Sequence, residues 1–410
     1  MTLAAGLRSP VPVDGPSNPY CNKHYPGGSM KSLMVTTALS ALLTLGLAPA
    51  ALADIKIGAS ISATGPAAFL GDPEAKTLEM LVEQVNAAGG INGEKIELVL
   101  YDDNGDPNKA RTFATRLIED DEVVAIIGGT TTGATMSILA VAEDAEVPFI
   151  SLAGAIDIIQ PVKTYTFKTP HTDRMACQKI FEDMKKRGFT KIGMISGTDG
   201  FGASMQAQCK AVIGDYGIEI VADETYDPKD ADMTAQLTKI KGAAGVQAIL
   251  NPGFGQGPSI VTRNYKQLAI DLPLYQSHGV ASDGFIELAG AAAAEGVRLP
   301  GTALLVASLL KDGDPQKAPV AAYKTAFEEK YKMPVSTFGG YANDAFLILT
   351  DALKRAGSAE PASIRDAIEA TKGLAGTTGV YSFTAEDHLG LDLTAFRMLE
   401  IKDGKWLLVE

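Results

Sequence analysis

The sequence predicts an α/β protein of two lobes, each a doubly wound parallel sheet flanked by helices. Three observations predict it. Strand-like and helix-like segments alternate from residue 55 to residue 276. The strand-like segments are solidly apolar, as strands covered on both faces by crossover helices must be. The alternation comes in two blocks that meet near Thr169, and a chain of 410 residues has length for about two domains.

In the first block, residues 55–61, 96–101, 123–127 and 149–152 read as strands. Residues 73–86 place Ala75, Leu78, Leu81, Val82 and Val85 on one helical face, and Gly89-Gly90 ends that helix. Pro107 opens a second helix to about 119, and 134–145 is a third. The second block reads as helix 173–187, strand 191–195, helix 202–216, strand 219–225, helix 234–241, strand 247–250, helix 259–268 and strand 274–276. Beyond it the order changes. Residues 302–307 read as a strand, 318–332 and 343–355 as amphipathic helices, and 363–371 as a shorter helix. Residues 395–401 and 406–409 form an expected antiparallel pair around Lys402-Asp403-Gly404.

The N-terminus reads as an export signal. Residues 30–53 carry Lys31, an apolar stretch at 33–47 and the small-x-small end Ala51-Leu52-Ala53. The apolar stretch is short for a membrane span. Asp54 is the expected start of the mature chain, in a periplasmic protein. Residues 1–29 are rich in Pro and Gly, lack periodicity, and are expected to be a disordered extension or an upstream start.

The formal net charge is −13, which argues against nucleic acid and anionic membranes as partners. Cys177 and Cys209 are the cysteines beyond the leader. A disulfide is possible in an oxidising compartment, and two buried thiols are the plainer expectation. No HExxH, CxxC or Gly-x-Ser-x-Gly string occurs, and His171, His278 and His388 are scattered. Gly197 to Gly202 matches neither a nucleotide loop nor a dinucleotide fingerprint, and reads as a turn into a helix. Asp102 to Asp106 lacks the glutamate of a calcium loop. A non-enzymatic binding protein with no metal and no cofactor is expected.

Ligands of open parallel sheets sit beyond the carboxyl ends of the strands. Gly128-Gly129-Thr130-Thr131-Thr132-Gly133 succeeds one strand and enters a helix, joining hydroxyls, free amides and a positive helix end in a way that suits a carboxylate. An ordinary threonine N-cap is the alternative reading. Ala153-Gly154-Ala155 comes after the next strand and lets a ligand approach the backbone. The matching loops of the second block are 196–202, 251–257 and Gln276-Ser277-His278-Gly279.

The strings GASISATGPAAFLGDPEAK, VNAAGGINGEKIELVLYDDNGDP, IIGGTTTGAT, VPFISLAGA, TPHTDR, ISGTDGFGAS, DADMTAQLTKIK and FGGYANDAFLILTDALKRAG occur in this order along the chain. Together they resemble the periplasmic substrate-binding proteins of the leucine/isoleucine/valine type, which serve ATP-driven (ABC) uptake systems. The resemblance implies two lobes joined by three crossovers, closing on a ligand by hinge motion. It implies lobe one at 54–172 plus 305–384 and lobe two at 173–304 plus 385–410. It also implies a monomer that delivers a small molecule to a membrane permease.

The resemblance further implies site residues. A hydroxyl that holds the ligand's carboxylate matches Thr132, and a backbone contact matches Ala153. A further hydroxyl position falls at Ala155. An aromatic position falls at Leu70, a tyrosine at Phe201 and another aromatic at Phe254. An acidic partner for an amino group matches Asp230, and a second acidic position falls at His278. Thr131 replaces one cysteine of the disulfide usual in lobe one. Thr130, Gly154 and Gly279 complete the expected ligand-binding set. Because Leu70, Phe201 and His278 offer little to an ammonium group, an aromatic or apolar carboxylate of the benzoate or phenylpropenoate kind is preferred. A branched-chain or other amino acid is the alternative, and a ligand-sensing receptor domain is a second. The chain also looks similar to an aromatic-acid-binding branch of the family.

Overall fold

The computed structural model describes residues 54–409. The extension at 1–29 and the export signal at 30–53 lie outside the described residues. The first sheet is built from β1 (Ile55–Ile61), β2 (Ile96–Asp102), β3 (Ala125–Gly128), β4 (Phe149–Ser151) and β5 (Thr166–Lys168), with α1 (Ala68–Ala87), α2 (Pro107–Glu119) and α3 (Thr132–Asp144) as crossovers. All its pairings are parallel and its order is β2-β1-β3-β4-β5. The chain turns one way from β1 to β2 and the other way to β3, so the switch point lies between β1 and β3.

The second block begins with α4 (Asp173–Lys186), β6 (Lys191–Gly197), α5 (Gly200–Val212), β7 (Glu219–Tyr226), α6 (Thr234–Lys241), β8 (Ala248–Asn251) and α7 (Gln256–Gln267). It continues through β9 (Leu274–Gln276), α8 (Asp283–Ala289), α9 (Ala291–Ala294) and β10 (Arg298–Gly301). The chain then returns to the first lobe. There α10 (Lys317–Tyr331) and α11 (Thr337–Ala356) lie against α1, with Tyr323 Oη 2.7 Å from Thr77 Oγ1. After α12 (Pro361–Glu369), β11 (Leu374–Ala375) and β12 (Val380–Tyr381), it crosses back to add β13 (Arg397–Lys402) and β14 (Lys405–Leu408) to the second sheet. That sheet runs β14-β13-β10-β9-β8-β6-β7, parallel from β10 to β7 and antiparallel at β13 and β14. Its switch point is between β6 and β8.

The chain therefore passes between the lobes at 169–172, after Gly301, and before Arg397. The first passage is fastened to the first lobe and touches the third. Thr169 Oγ1 donates to the Tyr341 carbonyl at 3.0 Å, and the Tyr381 hydroxyl donates to the Thr169 carbonyl at 3.0 Å. The rings of His171 and Phe396 stack with centroids 3.7 Å apart.

Several expectations need correction. The apolar run at 302–307 is not a strand. The strand is Arg298–Gly301, and Ala303–Leu309 forms 3-10 turns whose Ala303, Leu304 and Val306 are buried. An apolar run this short reads alike whether it is a buried turn or a strand. β5 gives little signal in the sequence, because Thr166-Phe167-Lys168 is short and ends on a lysine. α1 starts before Pro73 and carries that proline inside its first turns. α3 and α5 each begin two residues earlier than periodicity suggests, at the side-chain caps of Thr131 and Asp199. Cys177 and Cys209 are joined as a disulfide, with Cα atoms 5.1 Å apart. The first lies in α4 and the second in α5, and the bond holds these two helices side by side.

Candidate functional site

The loops beyond the strands' carboxyl ends in the two sheets face each other across a narrow cavity of about 40 Å3. That is less than an ordinary small-molecule site needs, so the lobes must part to admit a ligand. From the first lobe it is lined by Leu70, Thr130, Thr131, Thr132, Leu152, Ala153 and Gly154. Pro170 lines it from the first passage, and Phe338 and Tyr341 from α11. Phe201, Phe254, His278 and Gly279 line it from the second lobe.

Each loop is placed by local chemistry. The hydroxyl of Thr131 accepts from the Ala134 amide at 3.2 Å and starts α3, leaving first-turn amides pointed at the cleft. Asp199 accepts from the Phe201 and Gly202 amides at 2.9 and 3.0 Å and starts α5 opposite. Ser277 accepts from the Gly279 amide at 3.0 Å and donates to the Gly253 carbonyl, binding the β8 and β9 loops together. The starts of α3 and α5 converge: a Cβ built on Gly200 would lie 3.7 Å from the Gly133 amide nitrogen. Two helix N-termini facing one cleft favour an anion there.

The threonines differ in what they have left to give. Thr130 Oγ1 accepts from the Ser62 amide at 3.0 Å and donates to Glu74 Oε2 at 2.6 Å, so it is committed to the fold. Burial holds Glu74 well above the usual carboxylate range. Thr131 keeps its proton for a ligand. Thr132 Oγ1 is buried and has no partner at all. The Ala153 amide already donates to Ser151 Oγ at 3.1 Å. The Tyr341 hydroxyl is buried without a partner.

On the opposite wall, His278 meets Phe201 and Phe396 edge to face, at 5.3 and 5.4 Å. Burial, with the charge of Lys168 nearby, pushes its imidazole down to about 3, so it is neutral near pH 7. Neither ring nitrogen makes a well-formed hydrogen bond within the protein. Phe201 and Phe254 stand perpendicular at 6.2 Å.

The expected set is thus brought together with two exceptions. Asp230 does not line the cavity. It sits in the turn after β7, the edge strand of its sheet, where its carboxylate accepts from the Asp227 amide at 2.9 Å. Ala155 is buried behind the wall, its carbonyl receiving Lys168 Nζ at 3.4 Å. Sequence reasoning misses Leu152, Pro170, Phe338, Tyr341 and Lys168. Phe338 and Tyr341 do carry a signal, since two aromatics three apart bracket a Gly-Gly pair at a helix start.

Gly154 shows how closely the lobes meet. A Cβ there would lie 2.8 Å from Phe201 Cε2 and 2.9 Å from His278 Nε2. Gly154→Ala should therefore prop the cleft open. Titration calorimetry is expected to show several-fold weaker ligand binding, with the melting temperature of the ligand-free protein unchanged.

Two α/β lobes joined by three passages, with a cleft at both switch points, define the periplasmic-binding-protein class of fold. The chain belongs to that family: residues 54–405 match the model of the periplasmic binding proteins. A leucine-, isoleucine-, valine-, threonine- and alanine-binding protein of Pseudomonas aeruginosa is 28% identical over 320 residues, covering 77% of this chain and 82% of its own. An extracellular ligand-binding receptor from Rhodopseudomonas palustris HaA2 superimposes with a TM-score of 0.81 at 31% identity, over 87% of this chain and 100% of its own. The branched-chain amino acid transporter substrate-binding protein LivJ of Streptococcus pneumoniae, in complex with isoleucine, gives 0.77 at 28% identity, over 86% of this chain and 97% of its own.

Proposed function

We propose that this chain is the periplasmic substrate-binding component of an ABC uptake system, acting as a monomer that carries a small carboxylate to a membrane permease without transforming it. The carboxylate meets Thr131, Thr132 and the start of α3, with Ala153 and Gly154 beside it. Phe201, Phe254, His278 and Gly279 close over it from the second lobe. Closure excludes water and strengthens the polar contacts that remain.

The preferred ligand is an aromatic or otherwise apolar acid. One observation carries this reading: no aspartate or glutamate lines the cavity, while Leu70, Leu152, Phe201, Phe254 and Phe338 do. An ammonium group enclosed there would lose its hydration with no carboxylate to replace it, at a cost of several kcal/mol. Branched-chain amino acids are the second reading, favoured by the names of the relatives in Pseudomonas and Streptococcus.

A thermal-shift and calorimetry series of benzoate, phenylpropenoate, leucine, isoleucine and valine separates the two. The aromatic acids are expected to raise the melting temperature most. If only the amino acids do so, the aromatic preference is wrong. The double variant Phe201→Tyr with His278→Glu restores a hydroxyl and an acid, and is expected to move selectivity toward amino acids by roughly tenfold, the scale of one charged hydrogen bond. An unmoved ratio would remove those two positions from the selectivity argument.

A further inference from the structure

Lys168 ends β5 with its side chain fully buried. Its ammonium donates to three backbone carbonyls: Gly154 at 3.0 Å, Ala155 at 3.4 Å and His171 at 3.3 Å. Among the described residues no carboxylate comes within 4.0 Å of it. The facing groups are Asp173 at the start of α4, His171 in the first passage and His278 of the second lobe, with Arg397 beyond His171. Asp173 is a charge partner of Lys168 at longer range. Its carboxylate accepts from the Ile156 amide at 3.1 Å, the Arg174 amide at 2.8 Å and the Ser204 hydroxyl. Both histidines are driven toward neutrality by burial. The buried cation thus has carbonyl dipoles in direct contact and the Asp173 carboxylate farther off, and a second anion nearby would stabilise it further.

The place where an anion would come near is the cavity. Gly154 lines it, and the ammonium grips the carbonyl of that same residue. One layer of backbone separates the two. Across so short a distance, in a water-poor interior, a single charge acts strongly. Among the described residues no lysine or arginine lines the cavity itself, and Lys168 is a cation placed directly behind its wall.

We propose that Lys168 is the charge-selecting and positioning residue of the cleft: its ammonium holds the 153–155 loop in shape and supplies the positive field that makes the site prefer an anion to its neutral analogue. The proposal rests on the cleft being the ligand site.

Ligand binding is then linked to a proton. Burial lowers Lys168 to about 7 in the ligand-free cleft. An anion in the cavity stabilises the charged form and raises that value. Affinity is full below about pH 7 and declines as pH rises above it, by at most about tenfold per unit, until the ligand-bound value is passed. Binding near pH 8 takes up a fraction of a proton.

The test uses benzoate against benzamide, with leucine as a second acid, by calorimetry at pH 6.0, 7.0, 8.0 and 9.0 in buffers of differing ionisation enthalpy. For the wild-type protein we expect proton uptake with the acids and none with benzamide. Lys168→Met should collapse the acid-to-amide affinity ratio at least tenfold, whereas a purely structural lysine would weaken both alike. Lys168→Arg should keep the ratio and abolish the decline above neutral pH. Should the methionine variant fail to fold, proton uptake by the wild-type protein decides alone. Acid binding without proton uptake overturns the role of Lys168 and leaves the cleft reading standing. Failure of both acids to bind overturns the cleft reading and this proposal with it.

Discussion

Thr132→Val is expected to weaken acid binding by about tenfold to a hundredfold and, at the same time, to leave the ligand-free protein as stable as before. The two effects have one cause. Thr132 Oγ1 makes no hydrogen bond to the described residues. Valine has the same shape, so no hydrogen bond within the protein is lost and stability should hold. When a carboxylate arrives, the hydroxyl gains a charged partner that valine cannot offer, worth about 1.5–3 kcal/mol. Calorimetry with benzoate and leucine measures the first effect, and urea unfolding measures the second. Thr130→Val is the contrasting control. Its hydroxyl joins the Ser62 amide to Glu74, so its loss should lower stability. Unchanged affinity in Thr132→Val would remove that residue from the site.

Replacing Cys177 and Cys209 together by alanine should cost about 2–4 kcal/mol of stability. The bond joins α4 to α5 across a sequence separation of 32 residues, and a loop of that length loses roughly 4 kcal/mol worth of unfolded-state freedom when closed. Both sulfurs are also fully buried, so their removal leaves small voids. Urea denaturation should show a lower midpoint with the variant, and a somewhat smaller shift when the wild-type protein is reduced, since its sulfurs stay in place. Equal midpoints would mean that packing of α4 on α5 holds the pair without the bond. Ligand affinity should change little, since neither cysteine lines the cavity.

The alternation of strands and helices is legible in the sequence because parallel strands are apolar on both faces and helices on one. Residues 55–276 therefore declare themselves segment by segment, β5 excepted. Beyond them the helices and the closing antiparallel pair are still legible as elements, but the residues alone do not say which lobe each joins, because their partners lie far away in sequence. α11 is buried by α1, roughly 260 residues earlier, and β13 completes a sheet begun at Lys191. The site shows the same division. Thr131, Thr132, Phe201, Phe254 and His278 each come after a strand and can be found as loop residues. Tyr341 and Phe338 sit within a helix, and their place at the cavity depends on the return of the chain. Lys168 is hidden differently: a single lysine at the end of an apolar run looks like a solvated strand end, and only the fold buries it. Asp230 misleads because a turn after an edge strand resembles a turn after a central one.

The three passages between the lobes, the first touching the third where His171 stacks on Phe396 and the second and third meeting the paired strand ends Gly301 and Arg397, have a mechanical consequence. A single tether permits twist, slide and bend, whereas three parallel ones suppress the first two and leave flexion about one axis. Travel of this molecule between empty and filled is then a one-dimensional coordinate, like the jaw angle of a pair of tongs. Any receiver that inspects the outer faces needs to gauge only that angle to know whether cargo is aboard.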